Sequence, residues 1–156
     1  MILTPLTLAD APHVQRLFER CSEFWALIEL PMPPAEEELT SIAPGKTLDD
    51  TFNFGAFDGD RLIAFLSMAR DYPKESEWWL GLLLLDPAAR SRGLGPQIHR
   101  ELLDWIAAQG GTKLWIAVQT QNVAAERFWR RTGYVEHSRQ PYGTGTVILM
   151  WIEVQP

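Results

Sequence analysis

A short run of arginine and glycine residues has the composition of an anion-binding loop. It reads Arg90-Ser91-Arg92-Gly93-Leu94-Gly95 and is followed by Pro96. An apolar strand-like segment and the stop Asp86-Pro87 precede it, and a helical pattern follows it. The first N–H groups of a helix have no intrahelical acceptor, and glycine lets a phosphate approach them closely. The sequence therefore predicts that residues 90–96 bind a phosphorylated ligand.

Other phosphate-binding loops fit this stretch less well. The P-loop of nucleotide triphosphatases needs Lys-Ser or Lys-Thr after its second glycine, and neither follows Gly95. The dinucleotide fingerprint needs a third glycine within a parallel βαβ unit. A glycine turn that only starts a helix stays open as an interpretation. Pro96 removes one N–H from the turn, so we expect a modestly weaker phosphate affinity.

Two motifs resemble those of the GNAT N-acetyltransferases. Arg90-x-x-Gly93-x-Gly95, after a strand that ends Leu85-Asp86-Pro87, resembles the family's motif A, R/Q-x-x-G-x-G/A. Further on, Asn122-x-x-Ala125-x-x-Phe128-Trp129-x-x-x-Gly133-Tyr134 resembles N-x-x-A-x-x-x-Y-x-x-x-G-F/Y. The opening Ile2-Leu3-Thr4-Pro5-Leu6-Thr7-x-x-Asp10-Ala11 is also similar to a common start in this family. The order of predicted elements matches over nearly the whole chain.

The resemblance implies a co-substrate, acetyl-CoA, and a direct attack by an amine. The co-substrate would lie in a V between two splayed strands, and its diphosphate would bind the loop. Residues implied to bind it are Leu83, Leu84, Leu85, residues 90–96, Asn122 and Trp129. The expected function is acetyl transfer to a primary amine of a small molecule or a protein, including antibiotic modification as a subclass. A non-catalytic acyl-CoA-binding sensor module is the alternative.

The residues that move protons are harder to predict. Trp129 stands where many members of the family have a tyrosine that acts as the general acid. Trp129 cannot take that role, because an indole N–H is only a hydrogen-bond donor. Tyr134 and Tyr142 are phenols that could replace it, although a half-buried structural role also suits Tyr134 and a thiolate can leave without an acid. Glu77 is the predicted base, with a surface role as its alternative. The competitors are Glu23, Glu29, a water relay and, ranked lower, His99 and His137.

The elements that position these residues predict a mixed α/β domain of the α+β-like kind. Their order is β-α-α-β-β-β-α-β-α-β-β, with about seven largely antiparallel strands and about four helices. One long helix is expected from Asp10 to Ile28, because apolar residues recur there at helical spacing. We expect one GNAT domain over residues 1–156.

Composition excludes several classes of partner. The net charge is −6, and residues 1–60 carry eleven acidic and three basic side chains. That acidic half suits a cationic acceptor, although the run Glu36-Glu37-Glu38 is equally explained as solvated helix surface. Nucleic acid is not expected as a partner, because no basic stripe is present to replace phosphate counterions.

Membrane, metal and redox chemistry are not expected either. The longest apolar run, residues 78–85, is much shorter than the roughly 20 residues that span a bilayer, and the N-terminus lacks the basic region of a signal peptide. A cytoplasmic location follows as an expectation. Three widely spaced histidines predict no metal site. The single cysteine, Cys21, lies on an apolar helix stripe and is predicted to be a buried, inert thiol. A homodimer is left open.

Overall fold

A mixed sheet forms the centre of the fold. The structure is a computed structural model and describes residues 2–156, within which seven strands form one sheet in the order β1-β2-β3-β4-β5-β7-β6. The strands are β1 (Thr4–Pro5), β2 (Thr51–Asp58), β3 (Arg61–Arg70), β4 (Glu77–Leu85), β5 (Lys113–Gln119), β6 (Val135–Tyr142) and β7 (Gly145–Glu153). Neighbouring strands are antiparallel except β4 and β5, which are parallel. The predicted fold class is confirmed, and so is the predicted order of elements along the chain apart from one additional helix near the N-terminus.

Helices cover both faces of this sheet. They are α1 (Ala11–Arg20), α2 (Ser22–Leu27), α3 (Ala35–Leu39), α4 (Leu94–Ala108) and α5 (Val123–Thr132). One buried cluster joins α1, α2 and α3 to the sheet, and includes Val14, Phe18 and Phe65. A second cluster joins α4 and α5 to the opposite face, and includes Ile98 and Leu102. The two apolar clusters fix the helices on either side of β4 and β5.

The first helix differs from its prediction, because it breaks at Cys21. In an unbroken helix Ser22 N–H would donate to the carbonyl of Phe18. That oxygen instead accepts hydrogen bonds from Cys21 N–H at 3.1 Å and from the Trp25 indole at 3.2 Å. The break raises the number of α-helices to five within residues 2–156. Cys21 itself is fully buried as predicted, and burial raises the pKa of its thiol.

Candidate active site

A cleft opens where β4 and β5 separate. The two strands pair only from Glu77 and Lys113 to Trp79 and Trp115, and beyond this point both continue without pairing to each other. On the other side of β4, the register with β3 shifts at Gly81, which forms a bulge. A bulge bends its strand and increases the twist. The ends of β4 and β5 therefore diverge in the middle of the sheet, as the predicted splayed pair requires.

Two adjoining cavities fill this cleft. We call the first the loop chamber; it has a volume of about 570 Å³, and Arg90, Gly95 and Leu85 contribute to its wall. We call the second the aromatic chamber; it has a volume of about 730 Å³ and is walled mainly by aromatic and aliphatic side chains. Residues common to both walls are Phe24, Leu83, Asn122, Ala125 and Trp129. The chambers therefore meet beside the unpaired part of β4.

The 90–95 loop has the backbone geometry of an anion site. Gly93 is the N-cap of α4 and has φ +77°, and Ser91 has φ +64°. A Cβ placed on Gly93 would meet no protein atom within 4 Å, so the space in front of this turn is open. Within residues 2–156, the N–H groups of Leu94 and Gly95 have no protein acceptor. A diphosphate fits this turn, because it would supply the missing acceptors.

Ion pairs hold the base of the loop. Asp86 is 2% exposed, and its carboxylate binds Arg20 at 2.8 Å and Arg61 at 2.9 Å. Burial acts to raise the pKa of Asp86, but hydrogen bonds from the Ala88 N–H and the two arginines outweigh it and hold the pKa below its usual value. These contacts attach α1 and β3 to the point where β4 ends and the loop begins.

Arg90 reaches away from the loop toward α2. Its guanidinium donates to Glu23 Oε1 at 2.7 Å and to the carbonyl of Leu85 at 3.3 Å. Arg92 is exposed to solvent. Arg90 therefore lines the loop chamber and is held by protein contacts, whereas Arg92 is not part of the chamber wall and has no such contact in the part of the chain that the structure describes.

The unpaired edge of β4 offers backbone groups to the cleft. Asp86 N–H donates to the carbonyl of Ile63 on β3 at 2.8 Å. Alternate residues of an antiparallel strand turn their peptide groups to opposite sides. Leu84 therefore bonds toward β3, whereas the N–H and C=O groups of Leu83 and the N–H of Leu85 are turned to the cleft side. The Leu85 carbonyl already accepts from Arg90 and from the Cys21 thiol. An extended ligand with amide groups can add to this edge as a further strand does.

Asn122 and Trp129 lie where α5 borders both chambers. Asn122 is the N-cap of α5, and its side-chain oxygen accepts from Ala125 N–H at 3.3 Å. The Trp129 ring is 9% exposed and packs edge-on against Phe128 and Tyr134 at centroid distances of 4.9 and 5.0 Å. Asn122 therefore places a polar amide at the junction of the two chambers, and Trp129 places an apolar ring there.

We expect Asn122→Ala to weaken acetyl-CoA use as well as stability. Loss of the cap should cost about 1 kcal/mol and lower the melting temperature. Asn122→Ser keeps a capping oxygen but not the amide, so its melting temperature should stay near that of the parent protein. In both variants the KM for acetyl-CoA should rise roughly threefold or more, because that amide borders both chambers. A KM that stays constant while melting changes would leave Asn122 with a capping role alone.

Comparison with known proteins identifies the family. The sequence profile described as the Acetyltransferase (GNAT) family matches residues 13–134. This chain belongs to the GNAT acetyltransferases. The N-alpha-acetyltransferase RimI of Mycobacterium tuberculosis is 31% identical over 133 residues, which cover 83% of this chain and 75% of the relative.

Solved structures share the GNAT fold over the whole chain. An acetyltransferase from Thermus thermophilus has a TM-score of 0.77 and 25% identity, and the match covers 98% of this chain and 97% of that one. An aminoglycoside 6'-N-acetyltransferase complexed with coenzyme A has a TM-score of 0.74 and 18% identity, and the match covers 100% of this chain and 98% of that one. The second likeness is evidence of a common fold alone.

Membership of the GNAT family makes this protein an acetyl-CoA-dependent acyltransferase, as the two motifs predicted. The alternative of a non-catalytic sensor module is therefore set aside. The cleft also fits the co-substrate, because free N–H groups, an open space before Gly93 and an unpaired strand edge follow one another along it. These residues would bind a diphosphate at one end and an amide-bearing arm along β4.

Tyr134, a predicted acid in this GNAT protein, lies in the core. Its side chain is 3% exposed, and its hydroxyl is 2.8 Å from His99 Nε2. Burial raises the pKa of Tyr134 and lowers that of His99 to about 4. Neither residue belongs to the wall of either chamber. The geometry therefore favours the alternative, in which the pair is a neutral, hydrogen-bonded part of the packing between α4 and β6.

Glu77, the predicted base, lies at the closed end of the β4–β5 pair. It is 6% exposed, and Oε1 accepts a hydrogen bond from the Trp115 indole at 2.7 Å. Lys74 and Lys113 lie 3.8 and 3.9 Å from Oε2. Glu77 contributes to neither chamber wall, because the strands separate only after Trp79. These contacts favour a structural role for Glu77.

Glu38 and Glu23 are carboxylates that line this GNAT cleft, but Glu23 borders the loop chamber and is paired with Arg90, so Glu38 is the candidate in the aromatic chamber. It is half-buried and lines the aromatic chamber. No hydrogen bond or ion pair involves its carboxylate within residues 2–156. Burial raises the pKa of Glu38, and the nearby charge of Glu37 raises it further. A free carboxylate with a raised pKa can hold an ammonium group and accept a proton from it.

Short contacts fix the helix that carries Glu38. The Ala35 N–H donates to Gln15 Oε1 at 2.8 Å, and the Leu39 carbonyl accepts from Asn53 Nδ2 at 3.0 Å. Ala35 and Leu39 are buried against the protein, and Glu38 is three residues after the first of them. This spacing puts Glu38 at the border of the buried face. Helical periodicity could therefore have shown from the sequence that Glu38, unlike the exposed Glu36 and Glu37, lies next to the protein.

Two further sequence expectations concern membranes and metals. No helix within residues 2–156 is long and apolar enough to cross a membrane. In the same residues, no group of three or more His, Cys, Asp or Glu side chains is arranged to hold a metal ion.

Proposed function

We propose that this protein transfers the acetyl group of acetyl-CoA to a primary amine by direct attack. One observation carries the proposal: the loop chamber and the aromatic chamber meet at the unpaired edge of β4. A phosphorylated donor bound in the first would present its far end to an acceptor bound in the second. Acetyl-CoA supplies an activated thioester carbonyl at that junction.

Glu38 acts as the base in this proposal. An amine with a pKa near that of lysine is an ammonium at neutral pH and must lose a proton before it can attack. Glu38 and Tyr142 are the ionisable side chains that line the aromatic chamber within residues 2–156. The carboxylate attracts the ammonium, and its raised pKa brings it closer to the operating pH, where a general base works best. Glu77, which has a tryptophan and two lysines as partners, is the less suitable candidate.

The peptide edge of β4 stabilises the charge that develops. The amine nitrogen bonds to the acyl carbon while the carbon–sulfur bond breaks, and negative charge builds on the acyl oxygen. The Leu83 N–H, which is directed to the cleft, is suited to donate to that oxygen, and one such donor typically contributes about 3–4 kcal/mol.

Two protons leave the nitrogen during the reaction. One passes to Glu38 and then to solvent, and the other neutralises the departing thiolate. A thiol with a pKa of about 8.5 needs no protein acid, so neither Trp129 nor Tyr134 is required to donate.

Release of the coenzyme A thiol tests this function directly. We expect the purified protein with acetyl-CoA to release thiol faster when an accepted amine is added, and mass spectrometry should find one acetyl group on that amine. The rate without amine is the control for hydrolysis. If no primary amine in a broad panel accelerates release, while acetyl-CoA binds tightly by calorimetry, amine acetylation is the wrong reaction.

A further inference from the structure

The walls of the aromatic chamber define what kind of amine it accepts. Aromatic rings from three elements face it, namely Phe24 and Trp25 on α2, Trp79 on β4 and Trp129 on α5. Aliphatic side chains of β5 and β7 complete the wall. Removing an apolar group from water into such a space is favourable by about 25 cal/mol per Å². A volume of about 730 Å³ holds an aromatic ring or a branched chain with room for the reacting group.

The charges of the chamber limit the acceptor to one buried cation. Glu38 is the carboxylate in its wall, and the other polar side chains there are neutral: Gln119, Asn122, Gln140 and Tyr142. A second or third ammonium group in the same chamber would lack a counter-charge. Burying an unpaired charge is costly, so polycationic acceptors are disfavoured.

The apolar surface continues to the rim. Leu30 and Tyr142, which both line the chamber, are 39% and 48% exposed. Leu30 is on the segment after α2, and Tyr142 is on β6. Thr144 Oγ1 donates to Glu29 Oε2 at 3.3 Å, which connects residues close to them in sequence. An entering acceptor therefore meets these apolar side chains, together with the hydrogen-bonded Glu29 carboxylate, before it reaches Glu38.

We infer that the acceptor is a primary amine with a single positive charge on an aromatic or branched apolar group. This inference rests on the proposed function and deepens it. Glu38 binds the ammonium, and the aromatic walls bind the apolar group. The same chemistry occurs in a free arylalkylamine and at the N-terminus of a peptide whose first residue is apolar, so both sources belong in the test.

The test compares kcat/KM for four acceptors measured by thiol release. The probes are 2-phenylethylamine, a pentapeptide beginning with phenylalanine, spermidine and 1,4-diaminobutane. We expect at least one of the first two to exceed both polyamines by roughly tenfold or more, since burying one large apolar side chain is worth about 1.5–3 kcal/mol. A higher value for phenylethylamine than for the peptide identifies the free amine as the source, and the reverse order identifies the peptide.

A second carboxylate in the wall should change this preference. Gln119→Glu adds a charge to the chamber with almost no change of shape, so kcat/KM for 1,4-diaminobutane relative to the apolar amine should rise several-fold. Gln109→Glu, which adds the same charge at the exposed end of α4, should leave that ratio unchanged.

The results separate this inference from the proposed function. If the wild-type protein uses spermidine or 1,4-diaminobutane as well as the apolar amines, or better, the acceptor class is wrong but N-acetyl transfer remains. If Gln119→Glu leaves the ratio of kcat/KM for 1,4-diaminobutane to that for the apolar amine unchanged, the inference that the chamber accepts a single positive charge is also wrong. If neither class of amine releases thiol, the proposed function fails, and the inference fails with it.

Discussion

Gly93→Asp should lower the affinity for acetyl-CoA about 100-fold or more. The substitution puts a carboxylate at the N-cap of α4, in front of the free N–H groups of Leu94 and Gly95. Two unit charges about 5 Å apart repel each other by about 3 kcal/mol at an effective dielectric constant of about 20, and this energy corresponds to about two powers of ten in the dissociation constant. Titration calorimetry with acetyl-CoA measures the effect.

Gly93→Asn is the matched control for this variant. Asparagine has nearly the same size and, like aspartate, tolerates the positive φ of 77° that this position requires. Strain and steric obstruction are therefore similar in both variants, and only the charge differs. We expect a smaller loss for Asn than for Asp, and a gap between the two that narrows as salt is added. A folded Gly93→Asp protein with unchanged affinity would show that the diphosphate binds elsewhere.

Glu38→Gln should lower kcat roughly 100-fold while acetyl-CoA affinity stays constant. General base catalysis contributes about 100- to 10,000-fold, and an amide cannot accept the proton. The rate of the parent protein should fall as the pH drops through the raised pKa of Glu38, since the base is then protonated. That acid limb should be lost in the variant. The pH–rate profile of kcat measures both effects.

Glu77→Gln is the control, because it is the same chemical change at the closed end of the strands. It breaks contacts with Trp115 and two lysines, so its melting temperature should fall, whereas the kcat of the folded protein should change less than threefold. Glu38→Gln should behave in the opposite way. A carboxyl whose pKa is raised by folding is destabilising when ionised, so above that pKa the glutamine should melt at the same or a higher temperature. The reverse pattern of activities would make Glu77 the base.

Spacing along the chain was sufficient to predict the family and the fold, and it also predicted a glycine turn at the start of a helix. The 90–95 loop combines free backbone N–H groups with positive φ angles, and short sequence motifs record such glycine positions directly. The succession of strands and helices along the chain was equally accessible, because alternating and continuous apolar segments were separated by clear stops such as Asp86-Pro87 and Gly110-Gly111. Each of these signals is local, so it does not depend on how distant segments pack.

The positions of the candidate base and acid depend on long-range packing and could not be predicted in the same way. Glu77 and Trp79 are two residues apart on β4 and so point to the same face, and Trp79 lines the aromatic chamber. The parallel register nevertheless pairs Glu77 with Lys113 and encloses it before the cleft begins. Tyr134 follows a helix that lines the cleft, yet its hydroxyl turns toward His99 in the core. Glu38 reaches the chamber because α3 packs against Gln15 and Asn53, and both are distant in sequence.

The separation of β4 and β5 gives this sheet an edge at its centre. Exposed strand edges usually invite pairing with other chains and lead to aggregation. Here Phe24 on α2 and Trp129 on α5 line both chambers beside this edge, so helices cover the sheet where its backbone groups are unpaired. A single extended ligand can enter between them, whereas a strand that belongs to a folded sheet would bring its neighbouring strands into contact with these helices. We therefore expect this edge to be protected from strand addition by foreign proteins even when no ligand is bound.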